Sequence, residues 1–251
     1  MRFLMILPAL AMCLCVASCS DDDDNSTPGG GTGIAGKKKL AGIVLSYWGK
    51  NLSISYDNQG RISRYEWSDG ETGVFSYRGN TITVTETSDG EVSTSVASLN
   101  DDGYMTSVSR GAQGTVMFTY DDQGQLSKAY FPDGWEETIT WENGNLVKVD
   151  AVSSDGDRET WTYEYTDYES WKGVVYWDDL LIDISIPDTP FNLLANAGYL
   201  GKMPKNLLAG AWYESGDTNI SYSYKFGDDG YVSEISGNKN GYGGSAKLLW
   251  Q

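Results

Sequence analysis

Carboxylates and aromatic rings are the chemistry that this sequence carries in quantity. It has 35 Asp and Glu, nine Trp and seventeen Tyr, and no histidine. Without histidine, Ser-His-Asp and Cys-His catalysis fall away, and so do zinc sites of the usual ligand type and most non-haem iron sites. What remains is catalysis by two carboxylates, as in glycoside hydrolysis, which needs them about 5–10 Å apart. Glu136-Glu137 and Asp178-Asp179 are the visible pairs, but adjacent residues on a strand face opposite ways, so neither is a ready-made dyad. The Asp-rich turns lack the longer loop that gathers about six or more oxygens around calcium. No catalytic residue, metal ligand or cofactor is therefore assigned. The rings offer a different chemistry, since aromatic faces stack on sugars. Trp161, Tyr163 and Tyr165 alternate along one segment, and Trp135 and Trp141 share a face of another. If register brings these five together on an open face, they form a platform for an extended glycan or peptide. If they lie inward they are core, as Tyr and Trp often are in β proteins poor in Leu and Phe.

The first forty residues give an address. Arg2 precedes an apolar run from Phe3 to Val16. That run is shorter than the roughly 20 residues a spanning helix needs, so residues 1–18 read as a secretory signal peptide. "VASC" resembles a bacterial lipobox, in which cleavage precedes Cys19 and its thiol carries a diacylglycerol. The run Ser20, Asp21, Asp22, Asp23, Asp24 then resembles the surface-export tag of some Gram-negative lipoproteins. Residues 19–40 form the lipidated cysteine, the tag and a Gly/Ser/Thr-rich tether with a reach of about 5–6 Å times the square root of its length. Cys13 and Cys15 leave with the signal, so the folded part holds no thiol. A net charge of -17 disfavours nucleic acid and anionic lipid as partners. The expectation is a monomeric outer-membrane lipoprotein exposed on the cell surface, held by its lipid anchor without a transmembrane span, with a glycan or protein as ligand.

Residues 41–251 read as one all-β domain. Turn signals such as "DNQG" (57–60), "SDG" (68–70), "DDQG" (121–124) and "PDG" (132–134) recur every ten to thirteen residues or so, the mark of an antiparallel fold. Roughly 14–18 short strands result, and tight turns force neighbours in sequence to pair as a meander that forms a curled sheet or a barrel. In Tyr56-Asp57-Asn58-Gln59-Gly60 the Asp accepts backbone N–H groups and Gly takes a positive φ, while Tyr56 and Ile62 pack across the hairpin. The same turn chemistry recurs at Leu99/Gly103/Met105, Tyr120/Gly124/Leu126 and Phe226/Gly230/Val232, and a shorter version at Trp141/Gly144/Leu146. Exposed middle positions vary, so the repeat is a fastener rather than a repeated site. Between 171 and 213 the beat breaks. Ile182, Ile184 and Ile186 still alternate, but Pro187 and Pro190 stop them, and a short helical or loop insertion follows near 188–204.

The hairpins at 56–62 and 120–126 resemble YD repeats of large secreted bacterial shell proteins, although only the first keeps the arginine after glycine. A lipobox with an acidic tag, such hairpins, "AGYLGKMPKNL" (197–207) and "YSYKFGDDGYVSEI" (222–235) together resemble an uncharacterised family of Gram-negative lipoproteins described as a domain of unknown function with a porin-like fold. The resemblance implies a many-stranded barrel and brings no activity. Seven-residue strands with Thr, Ser and Glu on one face do not suit a lipid-facing wall, which needs about 9–11 residues with an apolar row. A barrel that wide would be open unless flattened or filled, and large aromatics and the 188–213 segment are the fillers at hand. The expected role is a non-catalytic surface protein. A carboxylate-dependent glycan-active enzyme and a purely structural surface module are the alternatives.

Overall fold

The computed structural model describes residues 37–46, 49–177, 181, 182, 188–214 and 219–251. The signal peptide, Cys19, Ser20–Asp24, Asp178-Asp179, Ile184 and Ile186 lie outside the described residues.

Alternating apolar and polar residues build β1 (Leu40–Leu45), β2 (Lys50–Tyr56), β3 (Ile62–Trp67), β4 (Thr72–Arg78), β5 (Thr81–Ser88) and β6 (Glu91–Leu99). They continue as β7 (Met105–Ser109), β8 (Thr115–Tyr120), β9 (Leu126–Tyr130), β10 (Glu136–Glu142), β11 (Asn145–Val152) and β12 (Arg158–Glu169). After an insertion come β13 (Asn206–Tyr213), β14 (Asn219–Phe226), β15 (Val232–Lys239) and β16 (Tyr242–Trp250). Each strand pairs antiparallel with the next, and β16 pairs with β1 to close the barrel. In such a meander every odd-to-even connection lies at one end, the upper rim, and every even-to-odd connection at the other, the lower rim.

Turns at both rims close alike. At the lower rim Asp57 N donates to Arg61 O (2.8 Å) and Gly60 N to Asp57 O (3.0 Å), and the loops from Asn100, Asp121 and Gly227 repeat this. At the upper rim the loops from Trp67, Phe131 and Ser153 have the same two bonds. Asp57 Oδ1 also accepts from Gln59 N and Arg61 N, and Asp121 Oδ1 from Gln123 N and Gln125 N, all at 2.9 Å. Gly60 (φ 82°) and Gly124 (φ 78°) take the left-handed conformation that a Cβ would disfavour.

A second repeat sits just inside the lower rim. Tyr56 pairs with Ile62 and Ser55 with Arg64, so Ser63 is an extra residue in β3. The same bulge follows Leu40, Met105, Leu126, Leu146, Leu208 and Val232. It places apolar residues three apart on the inner face, as with Ile62 and Tyr65, Leu126 and Ala129, or Val232 and Ile235, all buried. Each carbonyl at the bulge accepts from an aromatic on the following strand. Tyr56, Tyr77, Tyr120, Tyr165 and Tyr224 hydroxyls reach Leu40, Ile62, Met105, Leu146 and Leu208 at 2.7, 2.8, 2.6, 2.5 and 2.7 Å. The Nε1 of Trp141 and of Trp250 donates to Leu126 and Val232, both at 2.7 Å. β5 pairs with β4 without a bulge, and Leu99 at the matching place on β6 has no donor to offer.

The lumen is filled by the described parts of the chain between β12 and β13. It leaves the lower rim at Ser170–Lys172 and rises through buried Val174–Trp177, where the Trp177 ring meets Trp67 near the upper rim (6.4 Å). It returns as helix α1 (Thr189–Leu194) and a wider turn, Ala195–Tyr199. Pro190 to Leu194 are all buried, as expected of a helix surrounded by wall. Asn196 ties the two passes together: its Oδ1 accepts from Val175 N (2.9 Å) and Tyr176 N (3.2 Å), and its Nδ2 donates to Tyr176 O (2.6 Å). At the bottom Tyr199 lies against Tyr77, Lys202 N donates to Gly124 O (2.8 Å) and Lys205 N to Gly144 O (2.9 Å). The filler thus begins near residue 170, well before the 188–213 segment expected from sequence.

Gly201 seats this plug on the wall. Its φ is 83°, and a Cβ there would stand 2.7 Å from Gly124 O and 2.8 Å from the Tyr120 ring. Gly201→Ala should therefore destabilise by more than about 1–2 kcal/mol, the left-handed penalty alone, as measured by equilibrium denaturation.

Candidate functional site

The aromatic residues expected to form a platform are placed by the barrel's closure. Trp141, Trp161, Tyr163 and Tyr165 face the lumen: Tyr163 is 5% exposed, and the other three pack on the core. The Trp161 ring meets that of Tyr213 at 5.0 Å, while Trp141 and Tyr165 are bulge donors. Trp135 precedes β10 at the upper rim, at the opposite end from Trp141, its carbonyl accepting from Phe131 N (2.9 Å). The five rings thus form no open platform, because alternation defines two faces of a strand and closure turned this one inward. Glu136 and Glu137 face opposite ways, Glu136 paired outside with Lys128 and Glu137 buried.

A polar constellation not foreseen from sequence sits at the upper rim. Tyr65 on β3 is fully buried, its ring occupying the space that Gly73 leaves on β4. Its hydroxyl lies 2.6 Å from Glu86 Oε1 on β5 and 3.1 Å from Glu71 Oε1 in the β3–β4 turn. A phenol has one proton to donate, so the trio is fully satisfied when one carboxyl keeps its own. Burial pushes the Glu86 carboxyl up, against the Tyr65 bond, with Asp188 and Glu71 adding to the rise. Beside it Arg110, from the β7–β8 turn, pairs with Asp188 at the head of α1, and burial raises Asp188 despite that partner. Trp67 Nε1 donates to Thr189 Oγ1 (3.2 Å).

Two carboxyls here approach one point as a glycosidase pair would, but the Tyr65 hydroxyl already fills that point. The constellation therefore clasps plug to wall. Among the described residues no group of three His, Cys, Asp or Glu could hold a metal ion. None of their helices is long and apolar enough to cross a membrane.

The outer wall carries an open recess. Ser223, Ser236, Ser245 and Ser46 form a row across β14, β15, β16 and the end of β1, beside Ser221 and Asn238. Side chains this small floor a groove of about 630 Å³. Its polar groups are hydroxyls and one amide, and the Lys225–Glu234 ion pair (3.0 Å) lies in the next row.

Because the folded-state pKa of Glu86 is raised, its ionisation weakens the fold as pH rises from the ordinary carboxylate range through that raised value. Below that range the charge is absent and so is the loss. Glu86→Gln should raise the denaturation midpoint at pH 7 and leave it nearly unchanged at about pH 3.5, below the reference carboxylate values. Equal midpoints at both pH values would show that the site does not resist the charge.

The fold is shared with a porin-like protein from Bacteroides uniformis ATCC 8492, whose crystal structure matches with a TM-score of 0.64 at 16% identity, over 86% of this chain and 99% of that one. A looser likeness to a chain of a TcdB2-TccC3-TEV crystal structure has a TM-score of 0.33 at 16% identity, over 75% of this chain and 11% of that one. The chain has no match among curated proteins. A porin-like barrel suits an outer-membrane or surface protein. Residues 54–234 match the family described as a domain of unknown function (DUF4595) with porin-like fold, and the chain belongs to that family.

Proposed function

We propose that the protein is a non-catalytic lipoprotein displayed on the cell surface, which binds an extended glycan, a peptide or a neighbouring surface protein on its outer wall. The observation that carries this reading is the filled lumen. A barrel of sixteen strands would leave a channel, but Val174–Trp177 and α1 occupy it, so the described interior is core rather than conduit. Partners must meet the outside. That surface is mostly Ser, Thr, Lys and Glu, as Thr83 and Thr85 on β5 or Ser221, Ser223 and Lys225 on β14 illustrate, with Val74, Val92, Met117 and Leu249 scattered among them, and hydrocarbon would not tolerate it. The lipid at Cys19 and the acidic run then supply the attachment and the outward address. Convergence of Glu71 and Glu86 speaks for a carboxylate-dependent enzyme, while Tyr65 between them speaks against it.

The groove across β14, β15 and β16 is the recess that an extended chain would fit, with hydroxyls to exchange for those of a sugar or amide. A broad glycan and peptide array with the protein should yield a ligand, and Ser236→Trp should weaken its binding at least about tenfold, or 1.4 kcal/mol, with the melting temperature unchanged. A ligand indifferent to Ser236→Trp would move the site off the groove. No ligand at all would leave a structural surface module.

A further inference from the structure

The lower rim shows where the chain enters the barrel. Lys39 N and O both bond to Gln251 at 2.9 Å, Lys38 N donates to the Tyr231 hydroxyl (2.7 Å), and Lys38 Nζ pairs with Asp229 (2.6 Å). Residues 19–36 therefore lead into one fixed point, beside β1, β15 and the start of the plug. That same sector gathers the exposed aromatics of the rim. Tyr168 at the end of β12 is 49% exposed and Trp171 39% exposed. Their rings rest on Phe226 (4.7 Å) and Tyr231 (5.6 Å), so their outer faces are held rather than floppy. Lys37 Nζ sits 4.3 Å over the Trp171 ring and Lys172 Nζ 5.2 Å from it.

Trp and Tyr with apolar bodies and wet tips, flanked by lysines whose stems lie on rings, are the side chains that settle at the headgroup level of a bilayer. The tether brings them there: about eighteen residues of Gly/Ser-rich chain have a reach of roughly 20–25 Å. Of the exposed acids in this sector, Glu169 is paired with Lys172 (3.2 Å) and Asp229 with Lys38, while Asp167 and Asp228 stand beside them. Asp101 and Asp122 belong to the lower rim across the barrel, in the turns after β6 and β8, and Asp89 and Glu91 belong to the upper rim. We infer that the sector around Tyr168 and Trp171 is a lipid-headgroup contact, on which the barrel stands with its upper rim turned outward. The inference rests on the lipoprotein reading above.

The test uses the full lipidated chain on vesicles of phosphatidylethanolamine and phosphatidylcholine, in which a new cysteine is the free thiol because Cys19 is acylated. An environment-sensitive fluorophore is attached at Tyr168→Cys, at Trp171→Cys or at Asp89→Cys, and is quenched by nitroxide-headgroup lipid. Both lower-rim probes should be quenched severalfold more than the Asp89→Cys probe. Equal quenching at all three on vesicle-bound protein would overturn the contact and leave the lipoprotein reading standing. Failure of the chain to float with vesicles would overturn both.

Discussion

A backbone carbonyl pushed out of its ladder by a bulge needs a new donor, and in this barrel an aromatic side chain from the following strand provides it. The pairing of bulge and donor is strict around the lower rim. Where a bulge follows Ile62, Met105 or Leu126, the donor is Tyr77, Tyr120 or Trp141, and where β5 has none, β6 offers Leu99. Bulges bend strands and sharpen their twist, so a regular ring of them gives the meander a consistent coil with which to close. The bond also links each bulged strand to the next one by a side chain as well as by the ladder. Burial raises the phenols of Tyr56, Tyr77, Tyr120, Tyr165 and Tyr224, so these hydroxyls keep their protons well into alkaline solution.

Closure at this width creates the next constraint. Side chains from sixteen strands cannot meet at the axis, and residues 170–177 and 188–205 of the same chain meet the deficit. These stretches are fastened to the wall at both rims. Arg110 with Asp188 and Trp67 with Thr189 hold it at the upper rim, and Gly124 and Gly144 carbonyls take Lys202 and Lys205 amides at the lower. A fold with the topology of a pore thereby carries, among the described residues, a packed core where a channel would run.

Much of this was legible in the sequence. Gly60, Gly124 and the Asp before each of them announced their turns, because only a few residue types satisfy that geometry. The regular spacing gave a meander of about the right number of strands, and the break at Pro187 and Pro190 marked the insertion. The bulges left a trace too, as apolar residues three apart in "ISRY", "LSKA" and "VSEI", but in isolation such a spacing fits other local structures. Which face of β12 is inside was not written there, since Trp161, Tyr163 and Tyr165 alternate equally well on either side. Nor was the clasp of Tyr65, Glu71, Glu86, Arg110 and Asp188, whose members come together only when the barrel closes and the plug rises through it.

The central claim is that the aromatic donors sustain the bulged wall. Removing one oxygen tests it: equilibrium denaturation of Tyr77→Phe and Tyr120→Phe, each leaving the ring in place and a buried carbonyl without its donor. Each should lose about 1–3 kcal/mol. Losses within about 0.5 kcal/mol, the range of ordinary surface changes, would contradict it and leave the bulges to the turns alone.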